Sequence, residues 1–369
     1  MIQKNKVFSL MKGIAIISVV IGHCADSRHY LDCFVNQYHL AVFFFVAGYF
    51  FKENNVECAK TFILKRIKSL YIPFVLAGIG FLLLHKPLVW LNIYNPPPIT
   101  SITESFKALF GLCVRMVSTD QLLGAMWFCP ALLWVSLIGV FAFKLSNLFL
   151  LKQRLGNVYS KVFVFASLIF IASIALHLLH LKSPYCIWQN IITSGIFLEG
   201  WIFKNIIEDK LPKLSKGRFL TIAVLLGIIL YGFMKIGLLA HLQPGNINDE
   251  SSVVILVIAF IGSIMVYCFS KFLVNSVFSK PIMLCGDHSF SIMLLHFLSF
   301  KLINYVQCIV YGYQFTHIAD FPVIRYTDIS WFWGYVISGS MLPLIMVYIY
   351  SKTKLIFNNM IGAPMKRFI

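Results

Sequence analysis

From end to end the chain repeats one pattern: an apolar run long enough to cross roughly 30 Å of hydrocarbon, then a short polar or basic connection. Ten such runs are readable, near residues 7–24, 35–51, 67–84, 123–143, 162–181, 186–203, 219–236, 253–274, 282–300 and 331–350. Runs of this length read as transmembrane helices. The expected fold class is therefore all-α: a polytopic integral membrane protein of about ten transmembrane helices, with residues 1–369 forming a single membrane domain. With 59% hydrophobic and 12% charged residues, the chain leaves no stretch polar enough to build a separate soluble core.

A formal charge of +17 raises nucleic acid as a partner. The basic residues, however, fall at alternate helix ends and not on one continuous patch, so no nucleic acid is expected. With the N-terminus inside, 22 of the 31 Lys and Arg residues fall in the tails and inner connections and 7 in the outer loops, while Lys12 and Lys235 lie within spans. Cytoplasmic connections carry the basic excess, which places both termini in the cytoplasm and the protein in the inner (cytoplasmic) membrane, in contact with its lipids. The first run is followed by Cys24 and Asp26, not by a small-residue cleavage site, so it is expected to remain as the first span. Most of the nine cysteines lie in or beside spans, where a thiol behaves as a small apolar group. Cys24 and Cys33, read as sharing an outer loop, could pair in an oxidising compartment.

Three connections have more character. Residues 85–122 carry the turn-forming NPPP of Asn95 to Pro98 and an amphipathic piece near Ser101 to Val117 suited to the membrane surface. The outer segment 301–330 holds Tyr311, Tyr313, His317, Asp320 and Asp328. Inner residues 52–68 carry Lys52, Lys60, Lys65, Arg66 and Lys68, which read as a basic juxtamembrane turn ending at Pro73.

Chemistry is most visible in the first run, KGIAIISVVIGH, from Lys12 to His23. Eleven steps of roughly 100° return to nearly the same helix face, roughly 16 Å further along. Ionisable residues inside membrane helices are costly and commonly functional. The first span runs outward and carries His23 to its outer end; the next returns from His39; the ninth runs outward through His296. Three histidines thus reach one depth. An imidazole facing polar space suits a general base, although each ring could instead simply bond a carbonyl or interfacial water. Lys12 could meet an anionic group alongside Lys65, Arg66 and Lys68, or snorkel to the headgroups. Trp127 and Phe128 in AMWFCP could anchor the interface or wall a sugar pocket. No ligand spacing near the histidines matches a metal site, and none is expected.

Five motifs in order, KGIAIISVVIGH (Lys12 to His23), YHLAVFFFVAGYFF (Tyr38 to Phe51), KRIKSLYIPF (Lys65 to Phe74), MWFCPALLW (Met126 to Trp134) and GDHSFSIMLLH (Gly286 to His296), resemble the membrane acyltransferase 3 family, particularly its branch similar to fucose 4-O-acetylases. The resemblance implies an O-acetyltransferase that takes acetyl from acetyl-CoA to a hydroxyl of a cell-surface polysaccharide or its lipid-linked precursor. It places the essential catalytic histidine at His23 and recurring positions of the family at His39, Arg66, Trp127 and His296. It further implies acyl-CoA and glycan partners and a setting beside polysaccharide synthesis machinery. Two positions depart from the pattern: lysine replaces the usual arginine at Lys12, and Met293 replaces a frequent tyrosine. The first keeps the charge but loses the planar fork.

The residues and the resemblance together give one mechanism: CoA enters from the basic inner face, its arm extends toward the outer half, and His23 deprotonates the acceptor. An acetyl-histidine relay is the variant mechanism. The alternative class is a glycan or small-solute transporter or flippase, since buried histidines also suit a proton-coupled carrier. A silent partner in a synthesis complex is a third.

Overall fold

The computed structural model describes residues 5–25, 29–95, 97, 99–148, 157–211, 214–243, 251–326 and 328–365, with the backbone alone for His29 and 355–365. Among them every regular element is helical. In hydrocarbon each backbone N–H and C=O has to be satisfied within its own segment, which leaves helices as the form these apolar runs can take. Nine helices among the described residues are long and apolar enough to cross a membrane. They are α1 (Lys6–Cys24), the broken pair α2 (His29–Asn36) and α3 (His39–Tyr49), α4 (Ala59–Trp90), α6 (Gln121–Ser146), α7 (Asn157–Leu178), α9 (Lys216–Lys235), α10 (Ser252–Leu273), α12 (Ser289–Tyr311) and α13 (Ile329–Met365). The expected span 186–203 is α8 (Ile187–Ile202), a shorter helix of 16 residues. Shorter helices include α5 (Ile102–Phe110), α11 (Ser279–Asp287) and the single turn Asn54–Glu57.

The packing centre is α1, which lies against α2, α3, α10, α11, α12 and α13. Its apolar window is 61% buried and that of α6 67%, against 17% for α9 and 22% for α4, so the last two form the lipid-facing rim. Two pairs of glycines set the closest approaches. A Cβ on Gly13 would sit 2.0 Å from the Ile282 carbonyl oxygen, and one on Gly286 2.0 Å from that of Ser9, which locks α1 to α11. Gly48 and Gly200 do the same for α3 and α8, at 1.8 Å and 1.9 Å from the carbonyls of Phe197 and Phe45. Without a hydrophobic drive between helices in lipid, such backbone-to-backbone contact is what holds them together. Ser9 Oγ also donates to Asp287 at 2.9 Å, bracing the first pair.

Four expectations are corrected. The second span begins at Tyr30, not 35, and breaks at Gln37 and Tyr38, because Asp32 and Asn36 pair along one helical turn (2.6 Å) and extend the helix outward. Cys33 therefore lies in α2 and not in a loop, and Cys24 and Cys33 form no disulfide. Basic residues 59–66 are helix, not turn: Lys and Arg are good helix formers, and Pro73 falls at the start of a fresh α segment after a π turn (Ile67–Tyr71), where its missing N–H costs little. The ninth span is Ser289–Tyr311 rather than 282–300, since the polar step Asp287–His288 ends α11 and restarts the chain as α12. Lys301 consequently lies inside that span, buried, donating to the carbonyls of Ala319 (3.1 Å) and Asp320 (2.7 Å).

The loop after α12 is thus strapped to the bundle. Asn304 Nδ2 donates to the carbonyls of Ile318 and Asp320, and Tyr335 donates to Asn304 Oδ1 at 2.6 Å while receiving Gln307 Nε2 at 2.7 Å. The amphipathic piece expected near Ser101 is α5, opened by a Ser101/Glu104 capping box and exposing Ile102, Phe106 and Phe110 on one face. Pro96 and Pro98 of the NPPP turn, Asp26, and the counted basic residues Lys4, Arg28, Lys152, Arg154, Lys213, Lys366 and Arg367 lie outside the described residues.

Gly48→Ala is expected to force α3 and α8 apart and to destabilise the fold by about 1–3 kcal/mol. Thermal unfolding in detergent measures this: a clearly lowered midpoint is expected, and an unchanged one contradicts the close approach.

Candidate active site

Helix α1 delivers two ionisable ends to two cavities. His23 lines a cavity of about 290 Å³ together with His39, Trp127, Phe128, Met293 and the polar groups Asp32, Asn36, His241 and Gln243. Lys12 lines a second, of about 340 Å³, with Arg66, Ser69, Cys129 and Ser289. Both cavities share Ile16, Phe43, Phe128 and Met293 as wall, so they meet across an apolar collar at the middle of α1. Phe128 is held in that collar by Phe43 and Phe44, with ring centroids 5.4 Å and 5.0 Å away.

The three histidines divide the work unequally. His23 stacks on His296, with centroids 5.3 Å apart and planes 22° off parallel, and touches Phe297 at 4.7 Å. His296 is fully buried behind it and lies outside the cavity lining. Its Nδ1 lies 3.0 Å from the carbonyl oxygens of Ile292 and Met293, one helical turn back. A carbonyl only accepts, so Nδ1 carries the proton and Nε2, which is buried with no hydrogen-bond partner, is left as a lone pair. His39 is held the same way, by the Val35 carbonyl at 2.7 Å. It reaches that carbonyl because the chain breaks between α2 and α3 and still keeps the i to i−4 register.

Arg66 enters the Lys12 cavity from α4, its guanidinium 5.0 Å from the Phe62 ring and its Nε buried without a partner. Lys65 and Lys68, its neighbours, are exposed and line neither cavity. At the other end Trp127 closes a 3-10 turn (Gln121–Trp127) whose start is fixed by Asp120, which accepts from the Leu122 N–H at 2.8 Å and from Tyr94 at 2.6 Å. Burial pushes the Asp120 carboxyl above the usual carboxylate range, and those two hydrogen bonds oppose the push. Phe321, from the strapped loop, packs against Phe297 with centroids 4.7 Å apart and planes inclined by 50°, and Phe297 in turn touches both His23 and His296.

Sequence reasoning singled out nine residues, and the structure brings seven of them, His23, His39, His296, Lys12, Arg66, Trp127 and Phe128, to these cavities or directly behind them, whereas Lys65 and Lys68 stand outside. It missed Asp32, Asn36, His241 and Gln243. The i, i+4 spacing of Asp32 and Asn36 on one face of α2 was an available signal; His241 and Gln243 follow α9, and nothing local ties them to α1. Among the described residues no group of three or more His, Cys, Asp or Glu side chains is arranged to hold a metal ion.

Residues 5–351 match the family model described as an acyltransferase domain, acyltransferase 3. The chain belongs to that family and is a multi-pass membrane acyltransferase. No curated protein and no solved structure matches the chain.

Histidine-selective ¹⁵N NMR of the protein in micelles is expected to show His39 and His296 as Nδ1-protonated neutral tautomers. An Nε2-protonated pattern for either ring contradicts the carbonyl anchoring.

Proposed function

We propose that the protein is an O-acetyltransferase of the cytoplasmic membrane, moving acetyl from acetyl-CoA on the basic side to a hydroxyl of a cell-surface polysaccharide or its lipid-linked precursor. The observation that carries this reading is the pair of cavities that share one apolar wall, with cationic side chains in one and His23 in the other. The resemblance of the five motifs to fucose 4-O-acetylases supports the acetyl donor and the sugar acceptor.

The donor's phosphates meet Lys12 and Arg66 in the basic-side cavity. Lys65 and Lys68, exposed outside it, add only long-range attraction. The pantetheine arm passes the collar of Ile16, Phe43, Phe128 and Met293, whose apolar faces suit a methylene chain and exclude water from the thioester. His23 takes the proton of the acceptor hydroxyl as its oxygen attacks the thioester carbonyl carbon. The C–S bond then breaks, the new ester leaves with the acceptor, and the imidazolium returns its proton to the departing thiolate.

The other two rings act as positioning groups. His296 backs His23 and fixes its plane, and His39, presenting a lone pair, accepts from an acceptor hydroxyl. With their Nδ1 protons committed to carbonyls, neither donates to the developing oxyanion. The Trp127 indole and the Gln243 amide are donors the cavity wall supplies for that charge.

Loss of the base removes on the order of 10²- to 10⁴-fold in rate. His23→Ala is therefore expected to abolish measurable glycan O-acetylation in membranes in which the protein still accumulates; undiminished acetylation contradicts the assignment. Arg66→Ala is expected to raise the KM for acetyl-CoA about tenfold, the worth of one charge-assisted contact of roughly 1.4 kcal/mol, while Lys65→Ala and Lys68→Ala change it less than about twofold. Initial-rate kinetics on purified protein reads this, and equal effects at all three positions contradict the placement of Arg66.

A further inference from the structure

A third cavity, of about 190 Å³, lies behind Trp127 between α6, the start of α8 and the segment after α5. We infer that this cleft, lined by Arg115, Met116, Trp134, Tyr185 and Asn190, is a saccharide subsite that holds the sugar unit next to the one being acylated. The inference rests on the acyl-transfer reading above and adds that the acceptor is a chain of at least two sugars.

Continuity is the first reason. Gly124 and Trp127 line both this cleft and the His23 cavity, and Gly124 contributes no side chain to obstruct the way between them. A glycan with one ring at His23 therefore has its next ring directed over the Trp127 indole.

The lining is the second. Trp134 and Tyr185 pack against each other with centroids 5.1 Å apart and planes inclined by 38°, and together they wall the cleft with aromatic surface of the kind that covers the C–H side of a sugar ring. Hydrogen-bonding groups line the same cleft. Asn190 is buried and donates through Nδ2 to the Tyr185 carbonyl at 2.8 Å, leaving Oδ1 as an acceptor. The Trp134 indole N–H is buried with no partner. An acyl chain of lipid would leave such groups unsatisfied, whereas hydroxyls pair with them. Arg115 stands exposed, its guanidinium 5.7 Å from the Phe110 ring, and among the described residues no carboxylate forms an ion pair with it. A uronic acid or similarly acidic sugar is the substituent it favours.

The backbone gives a third, independent reason. Met116 (φ 55°), Tyr185 (φ 55°) and Cys186 (φ 52°) all line the cleft in the left-handed region that side chains other than glycine rarely adopt. Asn92, His180 and Asn275 are the other non-glycine residues of positive φ among those described, and none of them lines it. Arg115 itself ends a π turn, Gly111–Arg115, another uncommon conformation. Strained backbone concentrates where a ligand is clamped, and π turns recur at functional sites.

The test compares acceptors of one and two units. Purified full-length protein in nanodiscs, with acetyl-CoA, is given methyl glycosides of glucose, galactose, fucose and N-acetylglucosamine and the matching disaccharides, with and without a glucuronic acid unit. The kcat/KM ratio of disaccharide to monosaccharide is expected to be about tenfold or more and to fall toward one in Tyr185→Ala and Trp134→Ala. Arg115→Gln is expected to remove the preference for the acidic disaccharide. The ratio is the readout because general misfolding lowers both rates alike.

Cys186 provides a second readout that needs no turnover. In a Cys58→Ser/Cys113→Ser background, its maleimide labelling is expected to slow with the disaccharide and not with the monosaccharide. Equal wild-type rates on one and two units, ratios unchanged in both aromatic variants, or unprotected Cys186 overturn the subsite. Absence of any acetyl transfer, together with absence of acetyl-CoA hydrolysis, instead overturns the acyl-transfer reading beneath it.

Discussion

The structure depends on how closely α1 is held. Gly13 and Gly286 bring α1 and α11 to backbone contact, and that contact leaves α1 no freedom to slide or roll. Because α1 is fixed, Lys12 and His23 occupy fixed depths on one helix, and Ile16 between them becomes part of the collar where the two cavities meet. A looser α1 would blur the separation between a cationic chamber and an imidazole chamber, on which the proposed transfer rests.

Imidazoles in such a setting need orientation more than exposure. His296 and His39 are each anchored through Nδ1 to a main-chain carbonyl one helical turn back, an arrangement available wherever a histidine sits in a membrane helix beside an open carbonyl. The consequence is chemical: both present Nε2 as an acceptor, and in the proposed transfer His23 is the ring left to exchange the proton. Phe297 packs on both His23 and His296, and Phe321 packs on Phe297, so this pair of rings has an apolar backing on the side away from the cavity's polar wall.

Much of this was legible in the sequence because hydrocarbon permits so few solutions. Apolar length alone located the helices, and the Lys12 to His23 spacing placed two ionisable groups on one face. Boundaries were misread where polar side chains serve the helix itself. Asp32 looks like a loop residue but, paired with Asn36, extends α2, and Lys301 looks like an outer-loop cation but is buried under Ala319 and Asp320 of the returning chain. The acceptor-side wall was less readable. His241, Gln243, Tyr185 and Arg115 come from segments far apart in the chain, and short-range pattern carries no information about which loops fold over the same mouth. Lys65, Arg66 and Lys68 are equivalent by composition; the motif resemblance marked Arg66, and the helical phase of α4 is what turns it, and not its two neighbours, into the cavity.

The account turns on a thioester reaching His23 through the collar from the basic side. Sealed proteoliposomes with radiolabelled acetyl-CoA confined to the side of Lys12 and Arg66, and the sugar acceptor confined to the other, measure this directly. Labelled ester in the acceptor compartment, lost when Met293→Trp fills the collar, is the predicted result. Ester formed only when donor and acceptor share one compartment contradicts it.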